Sequence, residues 1–349
     1  MNKLAILRQP GVAAALAAAL LFGASTPLAK LLLGEISPWL LAALLYLGAG
    51  LGLSLYRRLI HAAPVRLPLR QWPWLGGAIL AGGVTAPVLL MLGLAHMPAS
   101  GAALLLNAEG VFTALLAWFA FRENFDRRIA LGMAAIVAGA VILSWPGRPG
   151  FAGLAPALAV LGACFAWGLD NNLTRKLSLA DASWIAAVKG VVAGATNLAL
   201  ALRLGAHLPT LPQLSAALLL GFFAYGVSLA LFVVGLRHLG SARTGAYFSV
   251  APFFGAALAV LLGEPLNWPL VAAGLLMAFG VWLHLTEHHA HEHTHEALEH
   301  EHWHAHDAHH QHMHEAPVEP GTRHKHRHRH EALNHNHLHY PDTHHRHGH

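Results

Sequence analysis

Histidines placed at every second residue are the part of this sequence with the clearest capacity for chemistry. The chain has 29 histidines, and only five of them precede residue 287, which leaves 24 in the last 63 residues. Neutral imidazole is a good ligand for Zn²⁺, Ni²⁺, Co²⁺ and Cu²⁺, whereas Ca²⁺ and Mg²⁺ prefer oxygen ligands. The alternation therefore predicts a metal-binding segment. The candidate ligands are His291, His293, His295, His300, His302, His304, His306, His310, His312, His314, His324, His326, His328 and His330.

This segment, residues 287–349, has almost no aliphatic side chains that could form a core. Its composition therefore predicts a disordered tail. One alternative is a pH-responsive polar tail without a metal, since histidine titrates near pH ~6.5. We expect the tail to bind a divalent transition metal, and we expect no other cofactor to be required.

Glu109 is the second group that could do chemistry, because it is the only formally charged residue between Ser100 and Phe121. A helix of that length is ~33 Å long and could cross a bilayer core of ~30 Å. An ionisable group near the midplane costs roughly 2.5 kcal/mol or more, so it normally faces protein or a water-filled path. Glu109 is therefore a candidate proton carrier. The alternative is a structural ion pair between Glu109 and Lys189.

Few other polar residues lie at membrane depth. On a continuous helix Asn107 and Glu109 would point about 200° apart, so they could not both face one cavity. Asp170 could belong to the same site, or it could cap a helix end near the headgroups. The candidate substrate and proton pathway comprises Glu109, Asn107, Asp170, Asn171, Lys189 and Tyr247.

Composition indicates that membrane helices position these groups. The chain is 55% apolar and 11% charged, with a mean hydropathy of +0.47, whereas a soluble protein carries about 25% charged residues. No GxxxxGK[ST] pattern is present, so the sequence does not support ATP-driven transport. The net charge of +5 is spread along the chain and does not suggest a nucleic-acid partner. We expect a polytopic all-α membrane protein that is not an enzyme, and we leave a homodimer open.

Ten apolar stretches are long enough to be spans. The first could instead be a signal peptide, but its length and its polar end favour an uncleaved span. The candidate spans are 11–33, 38–56, 72–95, 100–121, 128–145, 153–173, 183–204, 213–236, 242–262 and 268–286.

The distribution of Lys and Arg predicts the orientation. With the N-terminus inside, thirteen basic residues lie on inside segments and three on outside ends. Both termini, including the tail, are then cytoplasmic. The inside residues are Lys3, Arg8, Arg57, Arg58, Arg66, Arg70, Arg122, Arg127, Arg128, Arg175, Lys176, Arg237 and Arg243, and the outside residues are Lys30, Arg148 and Arg203.

An internal repeat links the two halves. Five ordered matches are separated by 141 to 145 residues: Phe22-Gly23 with Trp167-Gly168, Leu92–His96 with Val234–His238, Ser100–Ala102 with Thr244–Ala246, Glu123 with Glu264, and Gly132 with Gly274. Chance similarity among Gly/Ala/Leu helices is the alternative. Five spans in each copy would place the second copy upside down, an arrangement typical of alternating-access transporters. Glu109 corresponds to Ala251, so the two halves differ chemically.

These repeats, the aromatic-Gly pair in the first span of each and the short fourth span ending in Glu resemble the EamA-type transporters of the drug/metabolite transporter superfamily. The resemblance covers about residues 11 to 286 and implies ten helices, a central cavity and export of small solutes, often coupled to protons. It does not include the tail.

The resulting organisation is a cytoplasmic N-terminus (1–10), two five-helix repeats (11–145 and 153–286) and a cytoplasmic metal-binding tail (287–349) in the inner (plasma) membrane of a bacterium. We expect a secondary exporter of a small or metal-linked solute. The alternatives are an amino-acid or metabolite exporter with a metal-buffering tail, and a membrane anchor for metal storage.

Overall fold

The computed structural model describes residues 10–121, 127–145, 154–177, 181–239, 244, 247–285, 290–295, 298–304, 324–330 and 333–338. These residues belong to two units, Met1–Glu287 and His288–His349.

Every regular element described in the first unit is helical. The α-helices are α1 Pro10–Leu32, α2 Pro38–Leu59, α3 Trp72–Ala78, α4 Ala86–Ala95, α5 Ala99–Leu105, α6 Ala108–Phe121, α7 Arg127–Ser144, α8 Leu154–Arg175, α9 Ala182–Arg203, α10 Leu211–Gly221, α11 Ser228–Leu239, α12 Ala251–Leu261 and α13 Trp268–Leu285. A 3₁₀ turn, Leu69–Gln71, precedes α3. Two π-helices, Ile79–Thr85 and Phe222–Val227, join α3 to α4 and α10 to α11.

Seven helical stretches are long and apolar enough to cross a membrane: Gly11–Leu32, Pro38–Leu59, Leu69–Ala95, Ala99–Leu116, Leu154–Thr174, Ala182–Arg203 and Leu211–Gly235. Three shorter apolar helices lie at the positions of the remaining expected spans: Ala130–Ser144, Ala251–Leu261 and Trp268–Leu283. Within the described residues, seven of the ten expected spans therefore have full length, and ten stays a prediction.

The helices of the two halves pack reciprocally. Helix α1, the first of its half, packs against α11 and α12 of the other half. Helix α8, the first of the second half, packs in the same way against α4 and α6. The remaining large contacts join α2 to α9 and α7 to α13. Each half thus completes its core with helices of the other.

Glycine allows the closest of these contacts. A Cβ added to Gly50 of α2 would overlap the backbone of Gly190 and Val191 in α9. Gly194, one turn further along α9, lies against Leu47 in the same manner. Small residues at such positions let membrane helices approach closely. The α2–α9 pair therefore forms a tight contact between the two halves.

Irregular segments recur at matching positions. The two π-helices begin 143 residues apart, at Ile79 and Phe222. A turn at Leu106–Asn107 precedes α6, and a turn at Ser249–Val250 precedes α12. Helices α6 and α12 also begin 143 residues apart. The fourth expected span, 100–121, is therefore not one continuous helix, which corrects the expectation from hydropathy.

The second unit contains four strands: β1 Ala290–His295, β2 Leu298–His304, β3 His324–His330 and β4 Leu333–Leu338. Strand β1 pairs with β4, and β2 pairs with β3, both antiparallel. The β2–β3 register places Glu299 opposite Arg329 and Glu301 opposite Arg327. Disorder of the tail as a whole stays a prediction.

Candidate functional site

A break in the helix positions Glu109. The Asn107 side-chain amide donates to the Leu104 carbonyl over 2.8 Å, and the Glu109 amide donates to the Leu106 carbonyl over 3.1 Å. Asparagine competes for backbone groups in this way and favours turns over helix. Glu109 consequently lies in the first turn of α6. The expected 200° separation from Asn107 assumed a continuous helix and does not apply.

Glu109 is joined to the second half of the chain through Asn171. The Asn171 side-chain amide donates to Glu109 Oε1 over 2.9 Å and to Thr113 Oγ1 over 3.2 Å. Asn107 is buried and donates instead within its own turn and to the Met277 sulfur. Of the two candidates Asn107 and Glu109, only Glu109 therefore contacts the polar residues of α8.

Asn171 is an exposed polar residue of α8. It lies about 140° around the helix from the apolar face formed by Leu158, Phe165 and Leu169. That apolar face is also exposed, with Leu158 at 54% and Phe165 at 47%. The Glu109–Asn171 hydrogen bond therefore lies on a different side of α8 from the face that suits lipid.

Asp170 and Lys189 form a largely buried ion pair next to Asn171 in α8. Lys189 Nζ bonds to Asp170 Oδ2, and the other carboxylate oxygen accepts a hydrogen bond from Thr174 Oγ1 over 3.0 Å. Asp170 is 4% exposed. The alternative of an ion pair between Glu109 and Lys189 is wrong in this structure, since Lys189 pairs with Asp170.

Backbone carbonyls of the first π-helix accept hydrogen bonds from side chains of neighbouring helices. A π-helix shifts the hydrogen-bond pattern and frees carbonyls. Tyr46 Oη donates to the Gly82 carbonyl over 2.7 Å, and Trp167 Nε1 donates to the same oxygen over 3.0 Å. The Asn197 amide lies 3.3 Å from the carbonyls of Gly83 and Val84. Side chains from α2, α8 and α9 therefore converge on one irregular turn.

Sequence reasoning did not include Tyr46, Trp167 or Gly82 among the site residues. Trp167 was noted only as a repeat match with Phe22. Tyr46 interrupts an otherwise apolar stretch of its span, which is the signal that could have identified it. Gly82 had no distinguishing signal among 34 glycines.

Aromatic rings continue from Tyr46 into the other half. Ring centroids are 5.7 Å apart for Tyr46 and Tyr225 and 5.6 Å for Tyr225 and Phe22. Phe248 follows at 5.4 Å from Phe22, and Phe232 at 5.0 Å from Phe248. We call these five residues the aromatic row. Tyr247 is partly exposed and joins none of the described hydrogen bonds of the polar cluster.

Polar contacts also tie the halves together at the ends of the helices. Arg57 of α2 donates to Asp181 over 2.8 Å and to Ser183 over 2.5 Å, at the start of α9. Elsewhere, Glu264 accepts from the amides of Ala99 and Ser100 at the start of α5. Burial alone would raise the pKa of Asp181, but hydrogen bonds from Ser183, the Trp184 amide and Arg57 hold this pKa below its ordinary value.

The expected metal ligands lie in the second unit. Among the side chains that the structure describes, no group of three or more His, Cys, Asp or Glu is arranged to hold a metal ion. His306, His310, His312 and His314 lie outside the described residues. The backbone register pairs five histidines with five others: His291 with His337, His293 with His335, His300 with His328, His302 with His326 and His304 with His324.

Comparison with known proteins establishes the family. The model of the EamA-like transporter family matches residues 9–145 and again residues 154–286, which together make up most of the chain. The chain belongs to the EamA-like transporter family. This family comprises transporters rather than enzymes, so transport across a membrane is the activity its membership indicates.

One relative agrees with this assignment, and one solved structure shares the fold. An uncharacterized transporter from Methanothermobacter thermautotrophicus strain Delta H is 32% identical over 295 residues, covering 78% of this chain and 85% of that protein. One crystal structure superimposes with a TM-score of 0.60 at 20% identity and covers 78% of this chain and 95% of its own. The structural match supports the fold alone.

Proposed function

We propose that this EamA-family chain is a secondary transporter for a small solute, with Glu109 as its proton-carrying group. The observation that carries the proposal is the hydrogen bond that joins Glu109 across the two halves of the chain to Asn171, an exposed asparagine. An ionisable carboxylate in an otherwise apolar body normally faces protein or a water-filled path, which suits it to proton exchange.

We also propose that the two family matches are inverted repeats of five spans each, ten spans in all, with both termini in the cytoplasm of a bacterial plasma membrane. The reciprocal packing of α1 and α8 and the paired π-helices support this arrangement. Alternating-access transporters built in this way place their site between the repeats. A reporter active only outside the cytoplasm, fused after Thr286, should be silent.

The proposed transport role can be tested with the full chain in liposomes under an imposed pH gradient. Individual amino acids and the ions Zn²⁺, Ni²⁺, Co²⁺ and Cu²⁺ serve as probes. Glu109→Gln should abolish pH-driven uptake of any probe that the wild type moves, while the protein remains folded. Glu35→Gln is the matched control, because Glu35 is exposed in the turn between α1 and α2. Full retained coupling in Glu109→Gln would contradict the assignment.

The second part of the proposal assigns transition-metal handling to the tail. The support is the histidine alternation and the five histidine pairs in the β1–β4 and β2–β3 registers. Directly opposite residues in antiparallel strands have Cβ atoms about 4.5–5.5 Å apart, within reach of one shared ion. The tail would then collect or sense cytosolic Zn²⁺, Ni²⁺, Co²⁺ or Cu²⁺ for an exporter of a metal-linked solute.

Metal binding and transport can be separated experimentally. Coordination requires neutral imidazole, so the full chain should bind several Zn²⁺ or Ni²⁺ ions at pH 7.5 and lose them near pH 5. Removing residues 287–349 should eliminate this binding and leave transport by the body intact. Loss of all transport in a folded truncated protein would place the tail in the transport path.

Two alternatives retain specific support. An amino-acid or metabolite exporter with the tail as a buffer is favoured by the transport site, in which Glu109, Asp170 and Lys189 are not arranged as a cluster that could hold a metal ion. Amino-acid transport that added metal ions do not change would favour this first alternative. A metal-storage anchor is disfavoured by family membership, and measured transport of any probe would exclude it.

A further inference from the structure

The proposed proton carriage by Glu109 does not by itself require the ion pair of Asp170 and Lys189. Its side chains are only 6% and 17% exposed. Moving two charges out of water costs nearly as much as their attraction returns, so a buried ion pair is weak evidence of a purely stabilising role. The pair also lies directly against the first π-helix, where a Cβ on Gly82 would overlap the Asp170 carboxylate.

The titratable groups near Glu109 are few among the described residues. Asp170 is the chain neighbour of Asn171, which bonds to Glu109, and Asp170 in turn pairs with Lys189. Tyr46 and Cys164, which bond to backbone carbonyls beside this cluster, are the other titratable groups. Tyrosine and cysteine side chains are ordinarily uncharged near pH 7. Lys189 is therefore the cation of a cluster that contains two carboxylates.

We propose that Lys189 is a positioning residue that exchanges its partner between Asp170 and Glu109 as Glu109 releases and regains a proton. The inference rests on the proposed proton-carrying role of Glu109. With Glu109 protonated, Asp170 and Lys189 cancel each other and the site is neutral. When the Glu109 O–H bond breaks, its electron pair stays on the carboxylate, the proton passes to water and the site carries a net charge of about −1.

That extra charge attracts the ammonium group toward Glu109. Asp170 would keep one donor, Thr174, when the lysine leaves. The Asn171 amide can serve either form of Glu109, because a carboxylic acid and a carboxylate both offer an acceptor oxygen. Asn171 thus holds Glu109 in place while the lysine moves.

The exchange would link protonation to helix packing. The Lys189 stem passes the first π-helix, with its Cγ 3.4 Å from the position of a Cβ on Gly83. Movement of the lysine toward Glu109 therefore changes the contact between α9 and the π-helix. Protonation of Glu109 on α6 would then alter the packing between helices of the two halves.

The test is an infrared pH titration of the full chain in lipid nanodiscs, following the carboxylic-acid band that Glu109→Gln removes. Asp170→Asn frees Lys189 for Glu109, so the protonation midpoint of Glu109 should fall by at least about one pH unit, a tenfold loss of proton affinity. Lys189→Met should raise the midpoint by a similar amount. Thr196→Val on α9, whose hydroxyl bonds only within its own helix, is the control and should leave it unchanged.

A midpoint that Asp170→Asn leaves within about 0.3 pH units of the wild type, in a protein of unchanged helix content, would overturn the exchange. If Lys189→Met does not fold, the double variant Asp170→Asn/Lys189→Met replaces it. Its midpoint should lie above that of Asp170→Asn, and equal midpoints would overturn the exchange. Absence of any Glu109-dependent band between pH 4 and 10 would instead defeat the proton-carrying role itself, and the exchange with it.

Discussion

The two π-helices occupy matching positions in the two halves, yet their surroundings differ. Around Ile79–Thr85 lie an ion pair, an asparagine and two hydrogen-bond donors that meet a single carbonyl. Around Phe222–Val227 lie rings: Tyr225 contacts Tyr46 and Phe22. The same backbone irregularity therefore carries charge in one half and aromatic surface in the other.

The two halves therefore share their backbone geometry but differ in the chemistry of their side chains. The shared irregularity and the reciprocal packing come from duplicated backbone, whereas the polar cluster comes from residues that only one copy has. Trp167 and Phe22 correspond in the repeat, but only the indole can donate to the Gly82 carbonyl. A transporter can in this way keep a near-symmetric frame and place a polar cluster on one side.

The largest loss of stability should follow from removing Lys189, the cation beside the first π-helix. Lys189→Met leaves the buried Asp170 carboxylate without its partner, which costs about 3–5 kcal/mol. In the aromatic half, Tyr225→Phe keeps the ring and its contacts with Tyr46 and Phe22, so it should cost at most about 1.5 kcal/mol. Equilibrium unfolding in detergent micelles would compare them, and equal costs would show that the two halves do not differ as described.

A matched pair of glycines gives the second comparison. A Cβ on Gly83 would lie 2.7 Å from the Ala193 Cβ. A Cβ on Gly226, its counterpart 143 residues later, would lie 3.3 Å from the Phe222 ring and 3.7 Å from the Ala49 backbone, which is ordinary van der Waals contact. Gly83→Ala should destabilise by about 1–3 kcal/mol. Gly226→Ala should be neutral or stabilising by up to about 1 kcal/mol, because alanine favours helix. The reverse order in thermal unfolding would contradict the packing at the first π-helix.

A smaller effect is expected from the donors to Gly82. Trp167→Phe and Tyr46→Phe should each cost about 0.5–1.5 kcal/mol, because the other donor still reaches the carbonyl. The double variant leaves the oxygen without either donor and should cost more than the two single changes together. Simple additivity in the three unfolding measurements would show that the two side chains do not share this acceptor.

The smallest effect concerns the exposed link between α2 and α9, the helices that carry Tyr46 and Lys189. Because the folded pKa of Asp181 lies below its ordinary value of about 3.8, its contribution to stability is present above pH ~4 and is lost as pH falls through the folded pKa. Half-exposed ion pairs contribute at most about 1 kcal/mol. Wild type and Asp181→Asn should thus differ in thermal midpoint at pH ~6 and converge as the pH falls below the folded pKa of Asp181.

Several features of the site were predictable because they follow from the cost of polarity in lipid. Glu109, Asp170, Asn171 and Lys189 stand out in apolar stretches, and the structure brings all four together. Their partners could not be predicted. An ion pair of Lys189 with Glu109 was only an alternative, and the pairing of Lys189 with Asp170 depends on the space left by Gly82, which no local pattern reveals.

The sequence by itself determined the class of protein, the internal repeat and the positions of the ionisable groups at depth, because hydropathy, composition and self-similarity are properties of the chain. The helix break at Leu106–Asn107 and the two π-helices were decided by tertiary structure. Each such irregularity frees backbone groups that are stable in an apolar body only when side chains from other helices reach them. Tyr46 and Trp167 reach the Gly82 carbonyl from α2 and α8, and only the folded chain brings those helices together.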